Sequence, residues 1–243
     1  MDIYHAILKR KSVRKFSMEF LDAETIKDIE EFIKTIKPYK EDIKTKTYIL
    51  NDEKQIKGLF KIRAPHYIAI TSEKKEDYLE NVGYILEQLV IYLTQKGIGT
   101  CWLGKSVPTV EIEDKESLDF VIMIAFGIAD QPIYRESITE FKRKSISEIS
   151  NLTESSEIIE AIHLSPSAMN RQLWYFDFIS ENKIIVYRKK DVKLIERMSQ
   201  IDIGIALSHL YMAAEYKGKN VKYIKESDSY KEGYIYTITC VLN

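Results

Sequence analysis

Cysteine is scarce in this chain: Cys101 and Cys240 are the two thiols in 243 residues. That excludes a disulfide scaffold and leaves too few thiols for a cysteine-based structural zinc site. Net charge is nearly absent too. The 36 basic and 37 acidic side chains give −1, which argues against a protein that coats nucleic acid, since such proteins carry a strong basic excess. Long apolar runs are lacking: the most apolar stretch, Phe120 to Ala129, falls far short of the ~18 residues a membrane span needs. The opening Met-Asp-Ile-Tyr-His has none of the apolar run of a secretory signal. The expectation is a soluble cytoplasmic protein with neither nucleic acid nor membrane as a partner. The four histidines, His5, His66, His163 and His209, show no triad or ligand spacing, so no metal site is expected. What is present is 45% hydrophobic residues. That is enough for a packed core, in a length that leaves one large domain and two small ones both open.

An internal repeat narrows the choice. Asn81 to Gly97 and Asp202 to Gly218 align without gaps, 121 positions apart, about half the chain. Five of seventeen positions are identical: Gly83/Gly204, Leu86/Leu207, Leu89/Leu210, Lys96/Lys217 and Gly97/Gly218. Average residue usage gives roughly one match. Both segments are almost wholly apolar, as a helix buried on most sides must be, and both end in Lys-Gly, a cation followed by a helix stop.

Other pairs fall in the same order. Arg10-Lys11-Ser12-Val13 recurs as Arg143-Lys144-Ser145-Ile146. Capping signals predict helices over Asp22–Lys37 and Thr153–His163, each leading to a proline loop at Pro38 or Pro166. Strands are predicted over Thr45–Leu50 and His66–Thr71 in one half, and over Trp174–Ile179 and Lys183–Tyr187 in the other. Phe120–Phe126 and Tyr234–Leu242 read as closing strands, rich in β-branched and aromatic residues. Polar Gln131 to Glu148 marks the boundary, giving half-modules 1–142 and 143–243. Neither half has enough other chain to cover a helix that is apolar all round. The expectation is therefore one intertwined α+β unit with pseudo-twofold symmetry, the long helices packed together at its centre.

Chemistry is sought where the halves differ. Arg10, Ser12 and Arg14 put two guanidinium groups and a hydroxyl within five residues, a composition suited to gripping a phosphate. The second copy has Ser147 in place of Arg14. Gly97-Ile98-Gly99-Thr100-Cys101-Trp102-Leu103-Gly104 reads as a glycine loop able to approach a planar ligand. Its counterpart, Lys219 to Ile224, has no glycine. Ser165-Pro166-Ser167-Ala168-Met169-Asn170-Arg171-Gln172-Leu173-Trp174 presents hydroxyls and amides suited to a heteroaromatic ring edge. The stretch around Pro38 has neither the serines nor the asparagine. His209, on the second buried helix, reads as a satisfied core histidine, and Cys101 as an inert buried thiol.

Together, R-K-S-V-R-K-F, G-I-G-T-C-W-L-G and S-P-S-A-M-N-R-Q-L-W resemble the FMN-dependent nitroreductase family, and most closely its subgroup with two half-modules fused in one chain. Leu173 departs from the proline the family usually carries there. The resemblance implies an α+β nitroreductase-like fold, an internally duplicated pseudo-dimer with central buried helices and flanking antiparallel or mixed sheets. In that family two identical chains intertwine, each site drawing on both. Here the first half keeps the phosphate motif and glycine loop, and the second keeps the serine-asparagine loop. One chain then suffices for one site.

By the resemblance, Arg10, Ser12 and Arg14 hold the FMN phosphate and ribityl chain, with Lys11 beside them and Arg143 as a further candidate for the phosphate. Ser165, Pro166, Ser167, Asn170 and Gln172 line the ring from the second half. Leu103 and Gly104 flank it, with the Gly104 N–H facing N5. The implied activity is an oxidoreductase that passes hydride from NADH or NADPH through FMN to a small-molecule acceptor, a nitroaromatic or quinone, in a ping-pong cycle. That chemistry asks for no catalytic side chain, because the flavin carries it. The alternatives are a flavin carrier or sensor without turnover, and an interaction domain that has lost flavin.

Overall fold

The computed structural model describes residues 1–58, 62–109, 118–190, 193–226 and 230–243. In chain order its elements are α1 (Ile3–Lys9), α2 (Ala23–Thr35), β1 (Thr45–Leu50), β2 (Ile56–Gly58), β3 (His66–Ser72), α3 (Tyr78–Gln95), β4 (Gly99–Leu103), β5 (Ser106–Pro108) and β6 (Asp119–Gly127). They continue with α4 (Ile146–Ile149), α5 (Glu157–Leu164), β7 (Trp174–Ser180), β8 (Lys183–Lys189), α6 (Lys193–Tyr216), β9 (Val221–Ile224) and β10 (Tyr234–Leu242).

Two four-stranded antiparallel sheets form, in the orders β1-β3-β6-β4 and β7-β8-β10-β9. The orders correspond strand for strand, each closing strand lying third and each strand that follows a long helix lying at the edge. β3 is buried at every position, because α3 covers one face while Val13, Tyr67, Met123 and their neighbours form a second apolar cluster on the other. This is why its sequence reads as a continuous apolar run and not as an alternation. α2 lays its apolar stripe on the same core, and Phe32 stacks on Tyr92 of α3 with ring centroids 3.8 Å apart. Asp22 caps its N-terminus, accepting from the Thr25 N–H at 2.7 Å.

The long helices α3 and α6 pack on each other, and the repeat shows where. A Cβ built on Gly83 would lie 2.1 Å from the carbonyl oxygen of Ile201, and one on Gly204 would lie 1.9 Å from that of Glu80. Both contacts are backbone against bare glycine. Residues 80 and 201, like 83 and 204, stand 121 positions apart, so the crossing is made twice with the roles exchanged. This is the self-complementary pattern of a twofold interface, made within one chain.

Three readings change at the level of elements. Gly99–Leu103 of the glycine segment is strand β4, at a sheet edge, and not a loop. Its glycine serves a close approach: a Cβ on Gly99 would meet Val13 Cγ2 at 2.8 Å. The helix read from Thr153 starts at Glu157. α6 starts at Lys193, nine residues before the repeat unit.

The crossing buries a carboxyl. Glu80 is 4% exposed, its Oε2 has no partner, and burial pushes its pKa up to about 7. A carboxyl whose folded value is raised holds its proton more tightly in the folded state. Stability is then full at low pH and is lost as pH climbs from the ordinary carboxylate range to about 7. Glu80→Gln is expected to raise stability by about 2–3 kcal/mol at pH 8 and by little at pH 4, measured by urea unfolding at the two pH values. An equal change at both would contradict the assignment.

Candidate functional site

The N-terminal segment that leaves α1 runs beside the edge strand β4. Ser12 bridges Thr100 in parallel, and the Val13 N–H donates to the Thr100 carbonyl at 2.8 Å. The arginine-serine motif and the glycine segment are thereby placed side by side, although some ninety residues separate them in the chain. They form one wall of a cleft of about 680 Å³. Ser12, Arg14, Leu103 and Gly104 line the cleft from these two segments, Pro166 and Ser167 from the loop after α5, and Met198, Asp202 and Ile205 from α6. The cleft takes side chains from both halves.

Half of the expected residues stand behind the lining. Arg10 is buried, its Nη1 reaching Ser12 Oγ at 3.3 Å. Lys11 is half-buried. Ser165 is fully buried and donates to the Ala161 carbonyl at 3.3 Å. Asn170 and Gln172 both sit at positive φ, +57° and +47°. Asn170 Oδ1 accepts from Arg143 Nη1 at 2.5 Å, and Gln172 Oε1 accepts from the Lys144 N–H at 2.9 Å. In this arrangement their amides tie the loop to the segment after β6, and Pro166 and Ser167 are what the loop presents to the cleft.

A cluster of guanidinium groups lies behind the Ser12 wall. Burial lowers the pKa of Arg10, Arg135 and Arg143, Arg143 to about 9; Arg10 adds repulsion at the other two, while Arg10 itself feels the attraction of Glu87 and the repulsion of Arg14. The Nε–H groups of all three are buried without a hydrogen-bond partner. Arg135 was not legible in the sequence, since it is one basic residue in a polar stretch. It reaches the cluster because β6 ends at Gly127 and the chain returns along α1, Arg135 N–H donating to the Lys9 carbonyl at 2.9 Å. Unpaired buried donors and repelling like charges are each costly. One anion relieves both costs, so the cluster fits a phosphate group.

Behind Trp102 a buried chain reaches α6. Glu87 accepts from Trp102 Nε1 at 3.0 Å and stands 2.9 Å from His209 Nε2, whose Nδ1 is 2.8 Å from the Ala161 carbonyl. A carbonyl only accepts, so Nδ1 carries a proton and Nε2 shares one with Glu87. His209 is a satisfied core histidine, as its place in the sequence suggested. Burial pushes the Cys101 thiol up, away from the reactive thiolate.

The place related to this cleft by the repeat is closed. Tyr84 stands 121 positions before Ile205, and Tyr223 the same distance after Trp102. These two rings and Tyr39, in the loop after α2, pack together with centroids 5.0 to 6.0 Å apart.

Comparison with known proteins identifies the family. The family model described as "Putative TM nitroreductase" matches residues 2–214. The chain belongs to this nitroreductase family. Among solved structures, a "putative nitroreductase" from Thermotoga maritima MSB8 is 26% identical and superposes with a TM-score of 0.68, covering 100% of this chain and 93% of that one. A nitroreductase family protein from Clostridium difficile 630, 14% identical, shares the fold over 64% of this chain and 99% of its own at a TM-score of 0.52. A nitroreductase with bound FMN from Desulfitobacterium hafniense DCB-2 overlaps 60% of this chain and 98% of its own, at 13% identity and a TM-score of 0.45. No curated protein matches. Among the described residues of this nitroreductase-family chain, no helix is long and apolar enough to cross a membrane.

Proposed function

We propose that this chain is an FMN-dependent oxidoreductase whose half-modules, 1–142 and 143–243, build one flavin site without a second subunit. The observation that carries the reading is the guanidinium cluster, three buried Nε–H donors beside a cleft that draws on both halves. Arg10, Arg135 and Arg143, with Ser12 and Arg14, would hold the phosphate and ribityl chain. Leu103 and Gly104 would flank the ring on one side, Pro166 and Ser167 on the other. Arg143 also donates to Asn170 and to the Leu164 carbonyl at 3.0 Å, which couples the phosphate grip of the first half to the ring loop of the second. Bound FMN supplies hydride transfer at N5, between NADH or NADPH and a nitroaromatic or quinone acceptor bound in turn, in a cytoplasmic protein.

The test is the absorbance spectrum of the purified protein before and after NAD(P)H. A flavin spectrum bleached by NAD(P)H and restored by a quinone is expected. A yellow protein that NAD(P)H does not bleach would make it a carrier, and a colourless chain that takes up no FMN would refute the reading. Arg14 lines the cleft whereas Lys15 is exposed outside its lining. Arg14→Ala is therefore expected to weaken FMN binding by about 10-fold or more, the loss of one charge-assisted contact, and Lys15→Ala by less than about 2-fold. Fluorescence titration of the apoprotein checks both, and equal effects would contradict the phosphate assignment.

A further inference from the structure

Asp202 and Asn81 are the first residues of the two aligned repeats, 121 positions apart. They do the same structural work. Asn81 Oδ1 accepts from the Lys40 N–H at 2.9 Å, and the Asp202 carboxyl accepts from the Ala168 N–H at 3.0 and 3.1 Å. Lys40 and Ala168 lie in the loops after α2 and α5, so each contact ties a helix of the central pair to the loop beside it. An amide oxygen suffices for that tie, as Asn81 shows. The tyrosine-filled place has the amide; the cleft has a carboxyl.

The carboxyl is the costlier choice for the fold. Asp202 is 5% exposed, and its pKa is pushed up to about 7 by burial, against which the Ala168 hydrogen bond acts. The other titratable groups on the cleft are Arg14, Cys101 and Lys105. α3 brings Glu80 and Glu87 against α6, α5 brings Glu160 and His163, and β8 brings Arg188, which pairs with Glu196. The causes acting on Asp202 remain burial and the Ala168 N–H. What an aspartic acid offers this cleft, and an asparagine does not, is a proton that leaves and returns.

We infer that Asp202 is the proton donor of the cleft, protonating the acceptor as it is reduced. The inference rests on the flavin reading above. For a quinone the step balances as follows. Hydride originating in NAD(P)H bonds to the quinone and carries two electrons, NAD(P)H being oxidised to NAD(P)+. The O–H bond of Asp202 breaks, its proton completes the hydroquinone, and the carboxylate left behind is reprotonated from water through the open cleft. General acids of this kind contribute roughly 100-fold or more to a rate, and a group that titrates near neutrality is suited to the task at both ends of the cycle.

Asp202→Asn tests this, because it installs the amide that already serves at residue 81. Two readouts apply. In the FMN-free protein carrying Glu80→Gln, which removes the other buried carboxyl that titrates near neutrality, infrared difference spectra across neutral pH are expected to show a carboxylic C=O band that disappears with ionisation and is absent once Asp202→Asn is added. In the FMN-loaded protein, kcat with a quinone is expected to fall about 100-fold and to lose the wild-type decline above neutral pH, with the KM for NAD(P)H and FMN retention unchanged. A variant that retains the infrared band, or the wild-type kcat and pH profile, overturns the inference. Failure of the wild type to bind FMN would sink the flavin reading instead, and the infrared titration would still decide whether Asp202 exchanges a proton near neutrality.

Discussion

Gly204→Ala is expected to leave the chain unfolded, or destabilised by more than about 4 kcal/mol, the range reserved for backbone collision in a core. The added Cβ would stand 1.9 Å from the Glu80 carbonyl oxygen and 2.7 Å from its carbon. Those atoms belong to the helix backbone and cannot rotate away as a side chain would. Relief requires α3 and α6 to separate, and both sheets pack through these helices: Leu86, Leu89 and Ile205 belong to the first core, and Leu207 and Leu210 to the second. Moving the helices apart opens voids in both. Gly83→Ala, against Ile201, is expected to behave alike. Gly218→Ala is the control: it sits at φ +70° with nothing within 4 Å of its would-be Cβ. It pays backbone strain alone, about 1 kcal/mol. Urea unfolding of the three variants separates the cases. A mild loss at Gly204 equal to that at Gly218 would mean the helices do not cross as described.

That crossing was legible because it repeats. One glycine in an apolar helix has several explanations, whereas a glycine at the same place in two aligned helices points to a shared packing need. The strands were legible for a simpler reason: β1 and β10 occupy the very residues their β-branched and aromatic runs mark. β4 reads as a loop in the sequence because its strand character is not local. Three glycines in eight residues look like a turn, and the segment becomes an edge strand through pairing with β6 and with Ser12 far away in sequence. The site divides in the same way. Ser12, Arg14 and the Pro166–Ser167 pair, which line the cleft, stand in compact motifs that composition marks. Arg135 acquires meaning only when the chain after β6 folds back along α1. Asp202 carries its signal in the comparison of the repeats: it is an acid where its aligned twin is an amide, and packing alone does not call for that difference.

Arg10→Met is expected to abolish FMN retention while leaving the flavin-free protein at least as stable as wild type. The two halves of that outcome have one cause. Arg10 is 2% exposed, its Nε–H has no partner, its only side-chain hydrogen bond among the described residues is the 3.3 Å contact to Ser12, and Arg14 repels it. Methionine has a similar reach and no charge, so it removes the desolvation cost, the largest cause acting on Arg10, and the Arg14 repulsion, in exchange for that weak bond and the attraction of Glu87. Replacing a buried charge by an apolar side chain of like volume is commonly neutral or stabilising by about 1–4 kcal/mol. Against a phosphate the sign reverses: the guanidinium is then paired, and its loss is expected to cost about 100-fold or more in FMN affinity, as truncating a buried charge-assisted contact does. Thermal unfolding of the apoprotein and fluorescence titration with FMN read the two halves separately. Loss of stability with FMN affinity intact would show that Arg10 serves the fold. Gain or constancy of stability with affinity lost would show that the fold carries an unpaired charge for the sake of its ligand, the trade by which functional sites depart from the stability optimum.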